Sequence, residues 1–539
     1  MIMPSRSTLL PLLTGLLAIS IRYITYQVHL MDTKYHQWNN DEWHIDLISS
    51  PAYPIRFINA QHYHRYGSAN NKNNNHVVLS LLRKFAVTPA LDKVLSLMKQ
   101  ADTENIVPKI LCNTDAQTNL SHRVQEFYTD IQHSQTLTYT GKIFLYATSY
   151  MSLTNHYGLL QLGMKHQVQQ QQINEPVFIA SLPRTGSTIL HRTMSLDTSR
   201  FRHFDLADMV VPLPHPIPRW DTDGRKQKVK EANKLFQTIQ WIYPGFKECL
   251  ETMHGFRPSE AEEDLGWYDT GLGHFYMDPL MKLYPEYRQK KLNETIESKE
   301  VARYRYAWLS MILKIYQYTD QVTFDERKHT EGRAFLRQHP RPTTKIPWLL
   351  KDPNHSVYLP QLLEEFPNAK LIFIHRHPGE VVPSLAKLFV IFTSVDVIPG
   401  AVGTSAKEWG EESVKRMEYY SSGLVDFTRE QNNNHNSSSN DQSSSSSSSP
   451  YSFPSNSTSR IDLSFAQVRW DVPGAIEKIY KQLYPNQPPP SNTAKRAFQA
   501  YLEQNEREKH GNQRRSLEDF HLSKDDVAFR EYNDMFLGS

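Results

Sequence analysis

Pro183-Arg184-Thr185-Gly186-Ser187-Thr188 follows the apolar run Pro176 to Leu182 and precedes Ile189-Leu190-His191-Arg192-Thr193-Met194. An apolar β-type run, a short Gly/Ser/Thr turn and a helix-like segment predict a strand–loop–helix cradle for an anion. Backbone N–H groups at a helix start point at bound negative charge, and the helix dipole favours it there. The Gly-x-x-x-x-Gly-Lys-[Ser/Thr] spacing of nucleoside triphosphatases is absent, and Arg184 stands just before the tight turn. The expected ligand therefore bears phosphate but is not ATP.

A second anion site is legible after the strand-like run Lys370–His375. Arg376 stands at the C-terminal end of that run and Ser384 lies eight residues on, inside a helix expected to begin near Gly379. Both side chains could converge on one phosphate, and the guanidinium fork matches phosphate oxygens bidentately.

Together the two sites resemble the donor-binding motifs of sulfotransferases that use 3′-phosphoadenosine 5′-phosphosulfate (PAPS). The match is closest to the broad branch reading Leu-Pro-Arg-Thr-Gly-Thr-Thr-Leu-Leu-His-Arg, against Leu182 to Arg192 here. Trp348 to His355 is similar to the family's Leu-Lys-Ser-Pro-x-His segment. Lys509 to Phe520 resembles its Lys-His-Gly…Ser-Leu-Glu-Asp-Phe element. Ala207-Asp208 before Pro212-Leu213-Pro214 falls where the family often has Trp-Glu before Pro-x-Pro. The resemblance spans about 176–428 and 460–535.

The resemblance implies transfer of a sulfuryl group from PAPS to a hydroxyl or amine acceptor, with no metal. Arg184, Thr185, Gly186, Ser187 and Thr188 would hold the 5′-phosphosulfate, and Arg376 with Ser384 the 3′-phosphate. Lys509 and Gly511 would close over the 3′-phosphate end. Arg184 would also contact the bridging oxygen as charge develops on the leaving group, a position where cytosolic members carry lysine. Lys351 would stabilise the sulfuryl oxygens. The acceptor needs a general base, for which His355 and Asp208 are alternatives. Two rival functions stand beside this one: a nucleoside-triphosphate-dependent kinase or hydrolase, and an inactive membrane-tethered interaction protein of the same fold. The acceptor class stays open among small molecules, carbohydrates and lipids. His191 reads as a helix-packing residue, and Glu260-Ala261-Glu262-Glu263-Asp264 as a solvated helix face.

The bulk composition agrees with an enzyme of more than one part. The chain has 539 residues, a formal charge of +3 and 39% apolar residues, which gives no case for nucleic-acid binding. Two cysteines, Cys112 and Cys249, exclude a disulfide scaffold, though one bridge is open to them. Residues 1–34 contain the apolar run Thr8–Ile21 between Arg6 and Arg22. That run is short for a bilayer span and reads as a signal, an anchor or an amphipathic helix. Membrane-associated or secretory placement follows from the first two readings, cytoplasmic placement otherwise.

Residues 35–170 carry helix-period apolar patterns. Residues 171–430 and 460–539 read as one α/β domain, a P-loop-like parallel sheet flanked by helices. The Asn/Ser-rich stretch 431–459 cannot bury a core and reads as a disordered insertion looping out of that domain.

Overall fold

The computed structural model describes residues 79–134, 137, 139–212, 216–242, 255–268, 299–338, 346–393, 405–437, 459–505 and 516–538. The chain divides into Met1–Ser50 and Pro51–Ser539, and every described residue belongs to the second unit. The expected signal or anchor at 1–34 and the Lys509/Gly511 element lie outside the described residues.

Four parallel strands form the sheet: β1 (Val177–Ile179), β2 (Leu349–Lys351), β3 (Lys370–His375) and β4 (Arg460–Ser464), in the order β2-β1-β3-β4. Phe178 sits opposite Leu350 on one side and Leu371 on the other, while Phe373 sits opposite Asp462. Because β1 is central and the chain crosses from β2 over it to β3, the loops after β1, β2 and β3 meet at one carboxyl edge. A crevice at such a reversal is where open α/β sheets bind ligands.

The α-helices of five residues or more, in chain order, are α1 (Thr88–Glu104), α2 (Thr114–His133), α3 (Tyr139–Gly163), α4 (Ser187–Ser195), α5 (Leu206–Val210), α6 (Thr222–Ile242) and α7 (Lys299–Gln338). They continue as α8 (Leu359–Glu365), α9 (Pro378–Thr393), α10 (Ala406–Ser437), α11 (Phe465–Trp470), α12 (Val472–Leu483), α13 (Asn492–Gln504) and α14 (Arg530–Phe536). The α/β class and the helical character of the N-terminal region are as the sequence predicts. Of the expected insertion at 431–459, residues 431–437 belong instead to α10, and 438–458 lie outside the described residues.

Both sheet faces are covered, which is why the strands read as continuous apolar runs. On one face Val177, Ile179, Leu349, Ile372, Ile374, Ile461 and Leu463 pack on α4, α12 and α13. Helix α12 supplies Val472, Ala475, Ile476, Ile479, Tyr480 and Leu483, a 3.6-period stripe that is wholly buried. On the other face the Phe178 ring meets Phe366 and the edge of His355. Helices α1–α3 form a separate layer, joined to α7 where His156 stacks on Trp308 with centroids 4.3 Å apart. Cys112 in this layer is a buried free thiol, and Cys249 lies outside the described residues.

Candidate functional site

The cradle is built by two left-handed residues. Arg184 has φ 61° and Gly186 φ 84°, so the chain doubles back before α4 begins at Ser187. Such alternation turns successive backbone N–H groups into an anion-binding concavity. A Cβ at Gly186 would meet Val468 at 3.3 Å, a second reason for glycine. The Thr185 hydroxyl donates to the Leu182 carbonyl at 2.8 Å, and Ser181 Oγ accepts the Ile374 N–H at 2.9 Å. The loop is thus tied to itself and to β3.

The two sequence-predicted anion motifs meet. Arg184 Nε donates to Ser384 Oγ at 3.0 Å, and Arg376 Nη1 donates to the Arg184 carbonyl at 2.9 Å. Helix α9 starts at Pro378, which carries Ser384 to the second turn beside the cradle. Arg376 lies over the Phe465 ring at 4.2 Å, and Arg469 lies over the same ring at 5.8 Å. The guanidinium of Arg184 is disfavoured by burial, favoured by Glu263 and disfavoured by Arg376, with a net downward pKa shift. Arg376 is also shifted down, by burial first, with Glu380 opposing and Arg469 adding to it. Crowded arginines of this kind are relieved by a bound polyanion.

Lys351 ends β2 and reaches the same cradle. Its side chain is 1% exposed, its ammonium donates to Thr188 Oγ1 at 3.2 Å, and it is ion-paired with Glu263. The acidic segment is therefore not the solvated helix face expected from its sequence. Residues 260–262 pair antiparallel with 204–206, and Asp264 reaches the end of β2. Asp264 accepts the Lys351 N–H at 2.9 Å, and its own N–H donates to the Lys351 carbonyl at 3.2 Å. Arg192 in α4 pairs with Glu260 at 2.7 Å and Glu262 at 2.8 Å. The signal was present in the sequence. Four carboxylates within five residues, with no basic residue at i+4, need tertiary cations.

The two residues expected to supply a general base are both buried with their polar atoms engaged. His355 is 0% exposed; Nδ1 faces the Tyr306 hydroxyl at 3.0 Å and Nε2 faces Asp264 at 3.2 Å. Burial pushes the Asp264 carboxyl up, but His355 and Arg305 outweigh it and leave it below the ordinary carboxylate range. Asp208 closes a capping box at the start of α5, accepting the Asp205 N–H at 3.0 Å on Oδ2. The same oxygen pairs with Arg225 at 3.1 Å, while Oδ1 faces Lys228 at 3.4 Å. His191 packs as expected: Nε2 lies 3.3 Å from the Leu349 carbonyl. Burial, then the charges of Lys351 and His203, pushes that ring down to about 3.

Known proteins give the same direction. Residues 176–422 match the family model described as Sulfotransferase family. The chain is similar to the omega-hydroxy-beta-dihydromenaquinone-9 sulfotransferases Stf3 of Mycobacterium bovis and Mycobacterium tuberculosis, each 27% identical over 221 residues. That stretch is 40% of this chain and 45% of each relative, so the chain spans less than half the length of the curated relatives it matches. Among solved structures, sulfotransferase STF9 from Mycobacterium avium is similar with a TM-score of 0.56 at 16% identity, over 83% of this chain and 95% of that one. Sulfotransferase STF1 from Mycobacterium tuberculosis gives 0.51 at 16% identity, over 83% of this chain and 98% of its own. Both structural likenesses speak for the fold alone.

Proposed function

Because residues 176–422 match the sulfotransferase family model, we propose that the chain transfers a sulfuryl group from PAPS to a hydroxyl on a small or lipid-like acceptor. One observation carries the reading: Arg184 Nε and Ser384 Oγ, from motifs 200 residues apart, lie 3.0 Å from each other at the carboxyl edge of the sheet. A donor with phosphates at both ends of a ribose is served by two anion motifs converging on one crevice.

In this reading Arg184 and the backbone and hydroxyls of Thr185, Gly186, Ser187 and Thr188 hold the 5′-phosphosulfate. Arg376 and Ser384 hold the 3′-phosphate, and Lys509 with Gly511 closes over that end. Sulfuryl transfer resembles phosphoryl transfer, in which positioning and neutralisation of spread negative charge supply most of the catalysis. Lys351 is placed against Thr188 to neutralise the sulfuryl oxygens. Arg184 offsets the charge that appears on the bridging oxygen as its bond to sulfur breaks. His355 and Asp208 are read as positioning residues: His355 fixes Asp264, which in turn fixes Lys351, and Asp208 anchors α5 to α6.

The hydroxyl acceptor is favoured by the Stf3 relatives, which are sulfotransferases of an omega-hydroxylated menaquinone derivative. Among the described residues no helix is long and apolar enough to cross a membrane.

The test is calorimetry with adenosine 3′,5′-bisphosphate and, in parallel, ATP–Mg²⁺. Saturable binding of the bisphosphate, with ATP weaker, is the expected result. ATP binding with none of the bisphosphate would instead support the nucleoside-triphosphate rival. Incubation with labelled PAPS and a whole-cell lipid extract then identifies the acceptor.

A further inference from the structure

We propose that Glu263 is the general base that takes the acceptor's proton, with Lys351 as its partner on the sulfuryl side. The inference rests on the sulfotransferase reading above and adds a residue to it.

The geometry selects Glu263 among the carboxylates near the cradle. Asp264 and Asp208 are each 1% exposed at the side chain and held by several donors. Glu260 and Glu262 are committed to Arg192. Glu263 is different: its side chain is 26% exposed, and Oε1 is bound to the Lys351 ammonium, which itself touches Thr188. It is also close enough to favour the Arg184 charge. One carboxylate therefore borders solvent on one side and both cradle cations on the other. The backbone makes this placement rigid, because Asp264, the next residue, is locked to Lys351 by a reciprocal pair of backbone-segment hydrogen bonds.

The step balances without any further reactant. The acceptor oxygen forms a bond to sulfur as its proton passes to Glu263, and the bond from sulfur to the 5′-phosphate oxygen breaks. The electron pair leaves with that oxygen, beside Arg184. Lys351, ion-paired with Glu263 and donating to Thr188, bridges the base to the sulfuryl group.

The experiment compares the full chain with its E263Q and E263D variants. Labelled PAPS is offered with hydroxyl acceptors graded in acidity, from a long-chain alkanol through phenol to 4-nitrophenol, and adenosine 3′,5′-bisphosphate binding is measured on each protein. General bases contribute about 10²–10⁴-fold, so E263Q is expected to lose that much on the alkanol. On 4-nitrophenol, which releases its proton unaided, the loss should be less than about tenfold, and E263D should recover part of the alkanol rate. Bisphosphate binding should stay within about threefold of the parent, reporting an intact fold and donor site. Equal losses on all acceptors would make Glu263 a mere prop for Lys351 and overturn the proposal, as would unchanged rates. If the parent chain itself binds no bisphosphate, the sulfotransferase reading falls, and Glu263 with it.

Discussion

Arg184 holds a left-handed backbone at φ 61°, which costs a non-glycine residue on the order of 1–3 kcal/mol. Its carbonyl receives Arg376 and its side chain reaches Ser384, so the same contacts that offset the strain also join the two anion motifs. Replacing the guanidinium fork by an ammonium keeps the charge and loses the paired geometry. Arg184→Lys should therefore weaken adenosine 3′,5′-bisphosphate about tenfold in a calorimetric titration, with an unchanged melting temperature. His191 makes a separate prediction, on pH. Its folded pKa of about 3 lies below the ordinary 6.5, so the unfolded chain binds the proton more readily. Its contribution to stability is complete above about pH 6.5 and is lost as pH falls toward 3. Urea midpoints between pH 7 and 5 should fall less steeply in His191→Gln than in the parent; identical slopes would show that the ring protonates in the folded protein.

At the scale of single elements, the loop between β1 and α4 depends on Gly186. Alanine there meets both a positive φ and the Val468 methyl at 3.3 Å. Gly186→Ala should destabilise the cradle by roughly 1–3 kcal/mol and reduce the bisphosphate-induced rise in melting temperature, read by scanning fluorimetry. The sequence made these elements legible where local chemistry decides them. The cradle and β3 stand on strand runs and a turn visible in the residues themselves. Strand β2, Leu349–Lys351, is less plain. Pro347 cannot donate to a ladder, and pairing with Ile179 draws the polar Lys351 into the sheet. The strip 260–264 was misread because its cations, Arg192 and Lys351, come from distant segments. The run of four carboxylates calls for cations, but no local pattern names the distant residues that supply them, and the burial of His355 and Asp208 was hidden for the same reason.

Across the whole molecule, the ion cluster around Asp208 ties α5, α6 and α7 together through Arg225, Lys228 and Tyr316. Removing one member of a buried pair leaves the other charge uncompensated, at a cost of about 3–5 kcal/mol. Asp208→Ala should lower unfolding stability by that order in urea, and any lost transfer should track the unfolded fraction. A catalytic base would instead leave the urea midpoint in place and abolish only turnover. The far end of the chain has its own hold on the crevice. Helix α14 brings the Tyr532 hydroxyl to His375 at 2.9 Å and to the Arg376 backbone, and Asn533 Nδ2 to His377 at 2.9 Å. The turn that presents Arg376 is thus gripped on both flanks by residues made long after it. On the ribosome, the cradle and both arginines emerge well before their clasp exists. A chain stopped before α14 would carry both anion motifs yet lack the grip on the turn at Arg376. A stop codon at 530 should therefore leave the sheet folded and weaken adenosine 3′,5′-bisphosphate binding in a calorimetric titration.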